Sequence, residues 1–344
     1  MDNHKLRIGL IGTGDFGPEL QLYISNVAEL VAICDPNPAA RSGFVKRTAL
    51  DLPGFDSHDE MLDKVDMDAV VICSPNFTHK DITVAAAGRG KHVFCEKAMA
   101  TCVPDCWEMV RACQKTGVRL MVGHKRRLRP PWARMIELKE TLGEVSAITA
   151  CCYHDARPYN FYDKWWNQKE LSGGTLPLIG VHVVDWMRAI CGDVLSVRAM
   201  SAPQVDSRWN FPDTLHVDLA FASGAIASLA VSLSYPLCKF RQSSGPLVIC
   251  KNGGMRLEPH MDHINIHWQH MHEDRPHCER YDDLGFDHAY SKEIGDFVRW
   301  VADAEQPCLT WEEGLRCVEV MEAAHRSAEA GGKVIEMPLY PELE

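Results

Sequence analysis

The sequence predicts an α/β chain of two domains, the first built on a parallel sheet covered on both faces, the second on a largely antiparallel open sheet. Three observations predict it. Residues 7–35 read as strand, glycine turn, helix and strand. Near-continuous apolar strands then alternate with helices as far as Gly123, the pattern of a parallel sheet buried on both faces. Beyond Gly123 the strands turn to in–out alternation, and Ala222-Ser223-Gly224 reads as a hairpin turn.

The first unit is the most informative. Arg7 to Ile11 is apolar and runs into Gly12-Thr13-Gly14-Asp15-Phe16-Gly17, the G-x-G-x-x-G spacing. Gly12 permits the tight turn, Gly14 lets a pyrophosphate approach the backbone, and Gly17 lets the helix pack closely on the strand. N–H groups at the helix start then face the phosphates. Leu30 to Cys34 is the next strand, and Asp35 stands at its tip, where a carboxylate accepts bonds from both ribose hydroxyls. This is the dinucleotide-binding Rossmann arrangement. Asp35 favours NAD over NADP, because a carboxylate repels a 2′-phosphate.

Composition sets the class. A chain of 344 residues has room for two domains, expected at 1–124 and 125–344, the latter closing with a helix near 311–330. Hydrophobic and charged contents of 46% and 24% are those of a soluble globular protein. A net charge of −11 gives no reason to expect nucleic acid or an anionic membrane as partner. The 14 cysteines form no C-x-x-C pair, and Cys34, Cys73 and Cys95 lie in or beside apolar strands. Buried thiols of that kind suit the cytoplasm. No stretch is long enough to span a bilayer, and the N-terminus leads straight into the first strand without a signal peptide.

Along the first domain, Met67 to Cys73 is a strand broken by Ser74-Pro75-Asn76, and His92 to Cys95 is a strand ending at Glu96-Lys97. In parallel sheets ligands sit beyond the carboxyl ends of the strands, which is where Gly12, Asp35, Ser74, Glu96, Lys97 and Gly123 fall. Lysine is usually a surface residue, but at this position it can hold an oxygen or move a proton. In the second domain, Gly173-Gly174-Thr175-Leu176-Pro177-Leu178-Ile179-Gly180-Val181-His182-Val183-Val184-Asp185 opens a helix with glycines. His182 and Asp185 share a helical face, so the carboxylate can orient the imidazole. A capped helix with a core histidine would show the same pattern.

These motifs together resemble the Gfo/Idh/MocA oxidoreductases, the glucose–fructose oxidoreductase and inositol dehydrogenase group. The resemblance rests on the glycine loop, on Cys73-Ser74-Pro75-Asn76-Phe77-Thr78-His79, on His92-Val93-Phe94-Cys95-Glu96-Lys97, and on Gly180-Val181-His182-Val183-Val184-Asp185. It implies hydride transfer between a nicotinamide and a ring hydroxyl of a sugar or cyclitol, and a homodimer or homotetramer packed through second-domain sheets. It implies that Lys97 and His182 lie at the substrate carbon, with Asp185 in support. It places Ser74, Pro75, Asn76, His79 and Glu96 around the nicotinamide ribose, and Arg126 and Arg127 near the cofactor. With the glycine loop, Asp35 and Lys97, these are the expected cofactor contacts, Arg127 being the one counted of the two arginines. Asp155, Arg157, Trp165 and Trp166 join Lys97 and His182 as expected substrate contacts. The aromatics of Tyr159 to Trp166 can stack on a sugar ring, and the basic run His124 to Arg129 can hold an anionic group.

Two departures stand out. The family's Glu-Lys-Pro is Glu96-Lys97-Ala98 here, and Leu178 occupies a position where inositol dehydrogenase-like members carry an aspartate. Leu178 cannot bind a hydroxyl, so the substrate is not simply inositol. The resulting expectation is an NAD-dependent sugar, sugar-derivative or cyclitol dehydrogenase, with His182 as base and Lys97 holding the oxygen. A nearby nicotinamide charge would lower the lysine pKa. The alternatives are redox-neutral glycoside cleavage through transient oxidation and elimination, a non-catalytic dinucleotide sensor, and a biliverdin-type reductase. No metal site is expected. The histidines between His260 and His277 lack an H-x-x-x-H helical context, and Asn265 to Trp268 reads as a strand.

Overall fold

A computed structural model describes residues 5–156, 165–235, 245–260, 262–282, 286–303 and 306–343. The chain forms two compact units, 1–124 with 290–315, and 125–289 with 316–344.

The first unit carries β1 (Arg7–Ile11), α1 (Gly17–Val27), β2 (Glu29–Cys34), α2 (Pro38–Thr48), β3 (Gly54–Phe55), α3 (His58–Lys64), β4 (Ala69–Ile72), α4 (His79–Gly88), β5 (His92–Glu96), α5 (Val103–Thr116) and β6 (Leu120–Gly123). Its sheet has the order β3-β2-β1-β4-β5-β6, and every pairing is parallel. Strand order reverses between β1 and β4, so a crevice opens beyond their carboxyl ends. Ile8, Leu10, Val70, Val71, Val93 and Phe94 are fully buried, as strands covered on both faces must be.

The second unit holds α6 (Pro130–Leu142), β7 (Val145–Tyr153), α7 (Lys169–Ser172), α8 (Val181–Cys191), β8 (Val194–Ser201), β9 (Thr214–Phe221), β10 (Ile226–Ser232), β11 (Leu247–Cys250), β12 (Gly253–Pro259), β13 (Ile264–His270) and β14 (His277–Tyr281). After α9 (Phe286–Asp303), most of α10 (Trp311–Glu329) and the short β15 (Ile335–Glu336) complete it. The sheet runs β14-β13-β12-β11-β7-β10-β9-β8-β15 and is antiparallel except for β7 beside β10.

One boundary differs from the sequence expectation. Residues 290–315 belong with the first unit. Phe297 meets Phe94 edge-on at 5.7 Å, Trp311 lies 6.0 Å from Trp107, and Tyr290 stacks on Tyr23 at 5.2 Å. The apolar surface of the parallel sheet and its helices is covered by chain that returns about 170 residues later in sequence, which no local pattern announces.

Candidate active site

The glycine loop follows β1, and each glycine has a different neighbour. A Cβ on Gly12, at φ +99°, would lie 2.6 Å from the Ser74 amide nitrogen, and one on Gly17 would lie 2.5 Å from the Gly12 carbonyl oxygen. Those two glycines let β1, β4 and α1 converge. A Cβ on Gly14 would meet nothing within 4 Å. Its role is therefore not protein packing; the space beside it is what a pyrophosphate needs. Pro18 starts α1 with a fixed φ in the first turn.

Asp35 is held by the same loop. Its Oδ2 accepts the Thr13 amide at 2.9 Å and its Oδ1 the Asn37 amide at 2.9 Å. Each oxygen keeps further lone-pair capacity for a ribose hydroxyl. Arg41 donates to the Asp35 carbonyl, and Arg47 donates to the Asp15 carbonyl at 3.2 Å. Phe16, expected at the cofactor, packs its ring on Tyr290 at 5.3 Å. These residues fit a dinucleotide. The Gly12–Gly17 loop would cradle its phosphates and Asp35 its adenosine ribose.

The turn after β4 is a hydrogen-bonded knot. Ser74 and Thr78 hydroxyls lie 2.6 Å apart, and Thr78 donates to the Pro75 carbonyl at 2.7 Å. Asn76 opens the short helical turn and is buried. His79 is fully buried, with Nε2 2.9 Å from the Ser74 carbonyl and Nδ1 3.0 Å from the Ala98 carbonyl. Burial holds its pKa below the ordinary histidine value. Both ring nitrogens, expected at the cofactor, face backbone carbonyls and tie the β4 turn to the β5 turn.

At the end of β5, Glu96 is buried and its Oε2 accepts the Lys97 amide at 3.2 Å. Lys97 keeps partial exposure, and the Lys97–Ala98 peptide is cis. Gly123, at the end of β6, leaves room for Glu96; a Cβ there would stand 2.9 Å from Phe94 Cζ and 3.4 Å from Glu96 Oε1.

In the second unit, Leu176–Gly180 forms a π-helical turn that leads into α8. All side chains of α8 are buried except His182 and Ala189, so the imidazole is the accessible titratable group of this helix. Asp185 is fully buried, and its carboxylate takes Arg127 Nε at 2.9 Å and Nη2 at 2.6 Å. The sequence reading of a catalytic Asp185 and a cofactor-binding Arg127 did not include this pairing, in which the nearly buried Arg127 guanidinium is held by the Asp185 carboxylate.

Gly173 and Gly174 have positive φ because the turn requires it, and a Cβ on Gly174 would lie 3.1 Å from His325. Packing, not ligand approach, explains this pair. Leu178 is buried in a cluster with Ala156, Trp209, Phe211 and Leu233, against which Trp165 and Trp166 pack. The two indoles stack on each other at 4.7 Å. Asp155 is buried and bridges to Ser234 beside β10. Arg157, Tyr159, Phe161 and Tyr162 lie outside the described residues. The histidine-rich stretch forms the β12–β14 ribbon: His267 pairs with Glu258 at 2.9 Å, His277 with Glu273 at 3.1 Å, and His260 stacks on His263 at 4.2 Å. Among the described residues no helix is long and apolar enough to cross a membrane.

Comparison with known proteins supports the fold and the family. The family model for an oxidoreductase NAD-binding Rossmann fold matches residues 6–124, and that for the oxidoreductase C-terminal alpha/beta domain matches residues 135–337. Inositol 2-dehydrogenase of Rhizobium meliloti is 31% identical over 239 residues, 66% of this chain and 68% of that protein. The 2,7-anhydro-N-acetylneuraminate hydratase of Escherichia coli is 28% identical over 235 residues, 65% of this chain and 61% of that protein. The WlbA dehydrogenase of Bordetella pertussis, solved with NADH and UDP-GlcNAcA, superposes with a TM-score of 0.83 at 26% identity, covering 98% of this chain and 100% of that one. The chain belongs to the Gfo/Idh/MocA family of NAD-binding oxidoreductases.

Proposed function

We propose that this NAD-dependent oxidoreductase moves hydride between the nicotinamide and a ring hydroxyl or ketone of a sugar, sugar derivative or cyclitol. One observation carries the reading: a chain with a dinucleotide loop left open at Gly14 presents His182 as the accessible titratable group of α8. NAD supplies the hydride acceptor when bound. His182 takes the hydroxyl proton as general base, and Lys97, whose amide is fixed by Glu96, holds the oxygen as charge develops there. The Arg127–Asp185 pair braces α8 against the segment that carries Arg126. Inositol 2-dehydrogenase among the relatives supports a ring-hydroxyl substrate. The protein works in the cytoplasm as a homo-oligomer on this reading. The test is a screen of purified protein with NAD⁺ against sugars, sugar acids, inositols and glycosides, following reduced nicotinamide. Reduction with a member of the panel supports the reading, and none with any member counts against it.

A second reading is redox-neutral: transient oxidation, elimination and return of hydride. Two observations favour it. One relative is named a hydratase of an anhydro sugar. At Leu178 an apolar cluster capped by two indoles stands where inositol-type members place a carboxylate.

A further inference from the structure

We propose that Arg126 binds a carboxylate of the substrate, so that this enzyme acts on acidic sugars; the proposal rests on the hydride-transfer reading above and names its substrate class. Arg126 lies in the 3-10 turn Lys125–Leu128, one residue before the arginine that Asp185 holds. Its guanidinium lies over the Trp132 ring, 4.8 Å from the centroid, with the Cys152 thiol as a neighbouring group. Asp185 is the acid that acts on it through space, but that carboxylate already grips Arg127 through two nitrogens. Among the described residues no carboxylate stands within ion-pair distance of Arg126. Burial pushes its pKa below the usual arginine value, the sign of a cation drawn from water without full compensation.

A short chain of neighbours links this cation to the turn that leads into α8. The Cys152 thiol donates to the Ile179 carbonyl at 3.4 Å. Ile179 belongs to the π-helical turn that delivers His182, and that turn, Leu176-Pro177-Leu178-Ile179-Gly180, contains no acid. Trp132 itself keeps a buried indole Nε1 without an acceptor among the described residues. A guanidinium whose neighbours are an indole face and a thiol offers its planar fork of donors to an external carboxylate.

The experiment uses the full chain with saturating NAD⁺. D-glucuronate, D-galacturonate and N-acetylneuraminate are compared with their uncharged methyl esters, by reduced nicotinamide and by calorimetric binding. Wild type should prefer the acids by about thirtyfold or more in kcat/KM, or in affinity where only binding is seen, the scale of a lost charge-assisted pair. Arg126→Gln should erase that preference while its NAD⁺ dissociation constant stays within about threefold of wild type. Arg126→Lys, which keeps charge but loses the fork, should recover part of it. Equal use of acid and ester by wild type overturns the proposal, as does failure of every acid to bind. An Arg126→Gln defect that appears equally in NAD⁺ affinity also overturns it, assigning the arginine to cofactor. Hydride transfer on the esters or on neutral sugars alone would sink the acidic-substrate claim and leave the dehydrogenase reading intact.

Discussion

Arg127 and Asp185, 58 positions apart in sequence, form a two-point ion pair in which Nε and Nη2 of one side chain reach the carboxylate of the other at 2.9 and 2.6 Å. The acid is fully buried and the arginine nearly so. Such a pair adds little against an apolar replacement, yet breaking it leaves a buried charge uncompensated. Arg127→Met or Asp185→Asn should each lower stability by about 3–5 kcal/mol. The double replacement Arg127→Met with Asp185→Leu should lose less than either single change. Urea unfolding of the three variants checks this; single changes costing under about 1 kcal/mol would remove the pair from the account.

The glycine loop makes a prediction that separates folding from binding. Gly12→Ala forces a Cβ against the β4 turn at a positive φ, so it should destabilise the protein by about 1–3 kcal/mol. Gly14→Ala meets only open space, so its stability should stay within about 0.5 kcal/mol of wild type. Its NAD⁺ affinity should nevertheless fall by roughly tenfold, because the methyl enters the ground of the pyrophosphate. Equal NAD⁺ binding by Gly14→Ala and wild type would contradict the use of that space.

Cofactor choice should depend on Asp35. With both oxygens oriented by the Thr13 and Asn37 amides, it should favour NAD over NADP by about tenfold or more. Asp35→Ser should narrow the ratio, mainly by improving NADP. Dissociation constants for both dinucleotides decide the matter, and wild type binding NADP as tightly as NAD would be the wrong answer.

His325 should give the protein a pH-dependent stability. Burial, with Lys169 close by, pushes its pKa from the ordinary 6.5 down to about 4, against the opposing pull of Glu329 and Glu322. Between those values the unfolded chain binds a proton that the folded chain refuses, so stability falls as pH drops from about 6.5 to about 4. His325→Gln should flatten that part of the profile. Urea midpoints at pH 7 and pH 5 test it; an identical slope in both proteins would clear His325 of the effect.

Much of this molecule is legible in its sequence because the signals are local. The glycine spacing, the acid at the tip of β2 and the alternation of apolar strands with helices are all set within short windows, and the parallel sheet follows from them. The same holds for the in–out alternation of β7 to β10. What escapes is long-range. Residues 290–315 return to the first unit because Phe94, Trp107 and Tyr23 need cover, and periodicity cannot say which surface a helix finds. Asp185 reads as an orienting partner for His182 because the two share a helical face, but Arg127 enters from another segment to take the carboxylate. His79 reads as a ligand contact and is instead a buried link between two carbonyls. Gly173 and Gly174 read as a helix opening, and the turn and the His325 contact that account for them are not visible in the sequence. Leu178 was legible as a departure; only the structure shows the apolar cluster that surrounds it.

Nucleotide dependence distinguishes net hydride transfer from redox-neutral cleavage. The protein is freed of nucleotide by gel filtration, then offered glycosides and free sugars separately, with and without added NAD⁺. Net hydride transfer should form one NADH for each substrate consumed, with turnover that demands added NAD⁺. Many turnovers of glycoside cleavage without added NAD⁺ and without accumulated NADH would contradict it and establish the redox-neutral reaction instead.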